Sequence, residues 1–273
     1  MRRRFLRLLA VAMLGAAAPV RAAPKVRERA REPKSSLNFG AAINKAGRQR
    51  MLSQRMAKAY LMIGQGVVPE RARKVLAESS ALFEAQLVEL REMVPDHEAH
   101  AALVSLDDQW PAYAAALNGP TNRSGAESIY KLSDALLAAA DRLTLAYEKR
   151  AGTPTGHLVN VSGRQRMLSQ RMAKFYLFRA WAINPQPSQV ELEQARKDFV
   201  AGLGALNAAP QNTPQIRAEL ELVNQQWLFF DAALTASHDS AEARRALQDV
   251  ATTSERILEA MERVVTLYEA LAK

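Results

Sequence analysis

Gly47-Arg-Gln-Arg-Met-Leu-Ser-Gln-Arg-Met-Ala-Lys58 recurs without a change as Gly163 to Lys174, 116 residues further on. That exact repeat decides how the chain is read, because self-similarity at a fixed offset identifies the folding unit. Working outward, Asn44 matches Asn160, Tyr60 matches Tyr176 and Leu61 matches Leu177. The likeness continues more weakly. Leu106 to Leu117 aligns with Val223 to Leu234, which pairs Trp110 with Trp227. Ser133 to Glu148 aligns with Ser254 to Glu269, which pairs Arg142 with Arg263 and Tyr147 with Tyr268. The chain therefore divides into two modules, 37–150 and 157–273, joined by a linker at 151–156, Ala-Gly-Thr-Pro-Thr-Gly, a helix stop and restart.

Apolar residues recur at spacings of three and four, as in Leu76, Leu82/Phe83, Leu87 and Leu90, and no strand alternation competes. Breaks at Gly64 to Pro69, Pro95 and Asn118 to Pro120 predict helices over 37–64, 70–93, 98–117 and 124–150. The second module predicts 157–183, 188–207, 214–236 and 240–272, with breaks at Asn184 to Pro187, Pro210 to Pro214 and Ser237 to Ser240. Long helices joined by short loops predict an all-α fold, two tandem up-down-up-down four-helix bundles. Both ends of such a bundle lie together, so a short link lets the modules pack side by side as an intramolecular pseudo-dimer.

On a helical wheel the repeated block has two stripes. Ile43, Gly47, Arg50, Gln54, Ala57 and Leu61 form one; Leu52, Met56, Ala59 and Ile63 form the other. The second stripe is expected to enter the module's own bundle. The first, small and partly polar, is suited to close contact with another helix. Val159, Gly163, Arg166, Gln170, Ala173 and Leu177 repeat it. If the first helices of the modules meet, Arg50 and Arg166 come together. An arginine at a seam is costly unless paired, and the block holds no carboxylate. A planar oxyanion would neutralise the pair, since guanidinium forks bind such groups bidentately. Gly47 and Gly163, one turn earlier, would leave room for it. Two other readings stand: an acid from a neighbouring helix pairs with each arginine, or the block is structural. Arg48, Arg55 and Lys58 are read as a solvated face, and Trp110, Trp227, Tyr147 and Tyr268 as core.

The 273 residues carry 37 Lys+Arg and 28 Asp+Glu, a formal +9. Arg2, Arg3, Arg4, Arg7 and Arg21 account for five of those charges, and without them the balance is 32 to 28, or +4. The remaining charges are interspersed, with no clustered patch of the kind that nucleic-acid binding requires. Met1-Arg-Arg-Arg followed by apolar Phe5 to Ala18 and by Val20-Arg21-Ala22 has the layout of a signal peptide over 1–22. Export by the Sec or the twin-arginine route, and retention of the leader as an anchor, are the readings it allows. Residues 23–36 read as a flexible lead-in. No later stretch reaches 18 consecutive apolar residues, so the exported protein is expected to be periplasmic without a membrane span.

Catalytic chemistry finds little footing. There is no cysteine, no His-Glu-x-x-His, no phosphate-binding glycine loop and no Gly-x-Ser-x-Gly elbow. His97 and His100 beside Pro95 read as a solvated turn rather than a metal site. No enzyme and no cofactor is expected.

Ile43-Asn-Lys-Ala-Gly47, followed by Arg50-Met51, Ser53 and Arg55, resembles the P-box of the NarX/NarQ nitrate sensors. The block with its four-helix module resembles the PilJ-type N-terminal domain of type IV pilus chemotaxis transducers, over nearly all of 37–273. In the nitrate sensors one P-box arginine from each subunit holds the anion across the dimer axis. The resemblance therefore implies an anion site made by Arg50 and Arg166, with Gly47 and Gly163, in which nitrate or nitrite is the first candidate. It also implies a membrane-bound sensor or transducer as partner, since no transmembrane helix or output domain follows. The second copy departs from the motif, with Val159-Asn-Val-Ser-Gly163, and Arg48 and Arg164 replace a small polar residue. The competing expectation is a helical adaptor or scaffold that contacts such a transducer or a pilus component without a small ligand.

Overall fold

The computed structural model describes residues 38–235 and 242–272. The expected signal peptide and lead-in fall outside these residues. Eight helices and no strand occur among the described residues: α1 (Phe39–Gly64), α2 (Pro69–Arg91), α3 (His97–Leu117), α4 (Arg123–Ala151), α5 (Pro154–Ala180), α6 (Pro185–Asn207), α7 (Pro214–Thr235) and α8 (Ala243–Leu271). Most of the starts are written in local chemistry. Asn38, Asp96, Asn122 and Thr153 each accept, through a side-chain oxygen, a backbone N–H from the first turn of their helix. Pro69, Pro154, Pro185 and Pro214 occupy the first helical position, where the missing N–H costs nothing.

The join between the modules is shorter than the expected 151–156. Gly152 closes α4 in the left-handed region, Thr153 caps α5, and Pro154 begins it. Proline reads as a breaker in sequence, yet its fixed φ suits the first turn. At the corresponding corners after α1 and α5, Val68 and Asn184 also take positive φ, 40° and 44°.

In the first bundle α1 packs on α2 and α4, and α3 on α4; in the second, α5 packs on α6 and α8, and α7 on α8. Hydrogen bonds from Gln54 to Ser133 and from Tyr60 to Pro120 show α1 and α4 antiparallel. Helix α1 also packs along α5. Arg50 meets Asn160, Arg166 meets Asn44, and Gln65 reaches the Leu177 carbonyl, so these two helices run parallel with matching repeats at matching heights. Both helices are therefore central and buried on nearly every side. Leu52, Met56 and Ala59 enter the bundle as the second stripe predicts, while Ala57 and Leu61 of the first stripe are also buried. Tyr147 and Tyr268 are fully buried, and Trp110 and Trp227 stack on Phe83 and Phe199 at 4.2 and 4.5 Å, which makes all four core residues.

Candidate functional site: the polar seam between α1 and α5

Arg50 and Arg166 are 1% and 0% exposed, and the structure brings them to the same place. A Cβ built on Gly47 would lie 3.2 Å from Nη2 of Arg50 and 4.0 Å from Nη2 of Arg166. One on Gly163 would lie 3.3 and 3.7 Å from the same two atoms in reverse order. The space beside each glycine is taken by the guanidinium of the arginine one turn later.

The block itself holds no carboxylate, and of the readings left open by the sequence the structure shows the one in which an acid from a neighbouring helix pairs with each arginine. Nη1 of Arg50 donates to Asp141 Oδ1 on α4 at 2.6 Å, and Nη1 of Arg166 donates to Glu262 Oε2 on α8 at 2.5 Å. Each Nη2 crosses the seam: Arg50 to Asn160 Oδ1 at 2.6 Å, Arg166 to Asn44 Oδ1 at 2.7 Å. Both asparagines then donate outward, Asn44 to Glu269 at 2.5 Å and Asn160 to Glu148. The acids come from α4 and α8, about a hundred residues from the motif, which is why the block alone does not reveal them. Nε of both arginines is buried without a hydrogen-bond partner. Burial pulls both arginines down from their ordinary pKa. Asp141 opposes the shift at Arg50, whereas the Arg48 and Arg50 charges deepen it at Arg166. Guanidinium groups stay protonated all the same.

The supposed solvated face is also corrected. Lys58 and Lys174 are buried, and each reaches into the other bundle: Lys58 to Glu255 on α8 at 2.5 Å, Lys174 to Asp134 on α4 at 2.8 Å. Arg55 and Arg171 join the same two acids at 2.6 and 2.7 Å. Arg48 bridges to Glu262. Burial lowers Lys174 to about 8 despite Asp134, and also lowers Lys58. Burial raises Glu255, but Lys58 and Arg55 outweigh it and hold that carboxyl at about 2.

The signal missed in the sequence lies in the weaker part of the repeat. Ser133, Asp134, Asp141 and Glu148 recur as Ser254, Glu255, Glu262 and Glu269, so an acid stands at each of three paired positions. Asn44 and Asn160 are visible as a match, and their crossed contacts emerge only when α1 meets α5. His97 and His100 are exposed, and among the described residues no group of His, Asp and Glu has the makings of a metal site.

A family model described as the type IV pili methyl-accepting chemotaxis transducer N-terminal domain, PilJ, matches residues 34–131 and 153–253. The chain belongs to the PilJ family. Each matched segment covers the first three helices of one bundle and the start of its fourth, which supports tandem PilJ-type domains. No curated protein and no solved structure matches the chain. PilJ domains are sensory and signalling domains of chemotaxis transducers, and that is the role the family gives this chain. No helix among the described residues is long and apolar enough to cross a membrane.

Proposed function

We propose that this chain is an exported, periplasmic sensory protein, and that its signal is a change at the α1/α5 seam read by a membrane-bound transducer. Its ligand in this reading is a small planar oxyanion, nitrate or nitrite first, held between Arg50 and Arg166 over Gly47 and Gly163. The observation that carries the reading is the meeting of two fully buried guanidinium groups from the two copies of one motif. Their unpartnered Nε–H groups are donors that an oxyanion would satisfy. An anion would exchange with the asparagine carbonyls on Nη2. Because those bonds cross the seam, binding would bias the packing of α1 against α5.

A second reading is favoured by one observation: each arginine already has a carboxylate and an amide oxygen. Under it the seam is a lock, and the protein is an adaptor that works by partner contact. Calorimetry on the full chain against nitrate, nitrite, sulfate, phosphate and chloride separates the two. Selective binding of one planar oxyanion, lost when Arg50→Lys and Arg166→Lys keep the charge but remove the fork, supports the sensor reading. A flat response to all five anions overturns it in favour of the adaptor.

A further inference from the structure

Two clefts flank the α1/α5 seam, related by the sequence repeat, and they are not alike. Between α1, α2 and α8, Glu262 closes the approach: Oε1 takes Arg48 and Oε2 takes Arg166. A cavity of about 20 Å³ lies further along these helices, against Lys58, Val75 and Glu255 and away from Glu262 and Arg48. Between α4, α5 and α6 lies an open-sided cavity of about 340 Å³, within the range of small-molecule sites.

The repeat explains the difference. Asp141 stands where the other half has Glu262, one methylene shorter. It holds Arg50, but Arg164, the counterpart of Arg48, pairs instead with Asp198 on α6 at 3.1 Å. Asp198 and Glu191 occupy the positions of Leu82 and Val75 on α2. Two apolar residues of one cleft are thus two acids in the other, and the arginine that seals the first leans to the wall of the second.

The wall chemistry is specific. Four acids line the cavity: Asp134, Asp141, Glu191 and Asp198. Arg164 and Arg171 line it too, while Lys174 and Arg50 neutralise Asp134 and Asp141 from behind. Four charges of each sign leave no net attraction for a bare anion or a bare cation. Poles of both signs are nonetheless available. Arg164 is half exposed and gives Asp198 a single hydrogen bond, so most of its five N–H donors are uncommitted. Asp141 commits Oδ1 to Arg50, and its Oδ2 accepts no bond from the described residues. Leu137, Met167 and Leu168 add apolar lining to the same cavity.

We infer that this cleft is a binding site for a small zwitterion, an α-amino acid with an aliphatic side chain, its carboxylate on Arg164, its ammonium on Asp141 and its side chain over Met167 and Leu168. The site is distinct from the Arg50/Arg166 pair, and its test does not depend on whether that pair binds an anion.

The test is calorimetric titration of the full chain with alanine, valine, leucine and methionine, alongside two analogues of leucine: 4-methylpentanoate, which lacks the amine, and 3-methylbutylamine, which lacks the carboxylate. At least one amino acid should bind, and for leucine each single-pole analogue should be weaker by about tenfold or more, the value of a charge-assisted hydrogen bond. Arg164→Ala and Asp198→Leu, both at partly exposed positions, should weaken binding by a similar factor, and Arg48→Ala in the other cleft should not. The inference is overturned if none of the four binds, if the single-pole analogues match leucine, or if Arg164→Ala leaves the affinity unchanged.

Discussion

The clefts on either side of the α1/α5 seam begin from the same twelve residues and end differently. On the α8 side a glutamate spans two arginines and closes the gap; on the α4 side an aspartate holds one and leaves a cavity. The motif itself cannot account for this, since both copies are identical. The difference comes from its surroundings: one methylene at 141 versus 262, and acid for apolar at 191 and 198 versus 75 and 82. A duplicated motif fixes which groups are presented, and its less similar neighbours fix what those groups can do.

The largest test of this asymmetry is removal of the two acids. Glu262→Ala strands both Arg166 and Arg48, and unpairing a buried charge costs about 3–5 kcal/mol. Asp141→Ala strands Arg50 alone and should cost less. Urea unfolding of the two variants checks the order, and equal losses would break the comparison.

The two buried lysines give the next test. Lys174 sits at about 8 against an ordinary 10.5. Between those values the unfolded chain holds the proton and the folded chain does not, so stability rises with pH, by on the order of 3 kcal/mol. Tyr147 and Tyr268, raised to about 12 from 10.0, act in the opposite direction above pH 10, because there the folded chain keeps protons that the unfolded chain loses. The rise should therefore be seen between about pH 8 and 10 by thermal melting, and Lys174→Met should flatten it.

On the acid side the sign is the same as for Lys174, because Glu255 is also held below its ordinary value. Glu255 is held at about 2 against an ordinary 4.5, so its contribution is present above pH 4.5 and is lost as pH falls from there toward 2. Glu255→Gln should make acid unfolding less steep across that window in a pH titration followed by circular dichroism.

The smallest effect sharpens the comparison most. Asp141→Glu restores the missing methylene and should let the carboxylate reach Arg164 as Glu262 reaches Arg48. The stability change should stay under about 1 kcal/mol, as for partly exposed ion pairs. The cavity should close in a crystal structure of the variant.

Much of this molecule is legible in its sequence. The repeat, the helix spacing and the breaks give eight helices in two bundles, because apolar periodicity and capping are local properties. That Arg50, Arg166, Gly47 and Gly163 come together is equally legible in their placement on one stripe. Their partners are not. Asp141 and Glu262 lie on helices far along the chain, and Asn160 and Asn44 belong to the opposite repeat. Lys58 and Lys174 read as solvated because a long cationic side chain usually is, whereas here a serine and an acid from the other bundle receive each ammonium. The sequence by itself determined the helices, the twofold organisation and the groups offered at the seam. The tertiary structure alone decided which charges meet, because pairing depends on interhelical distances of a few ångströms, and one methylene together with two acid-for-apolar changes separates the closed cleft from the open one.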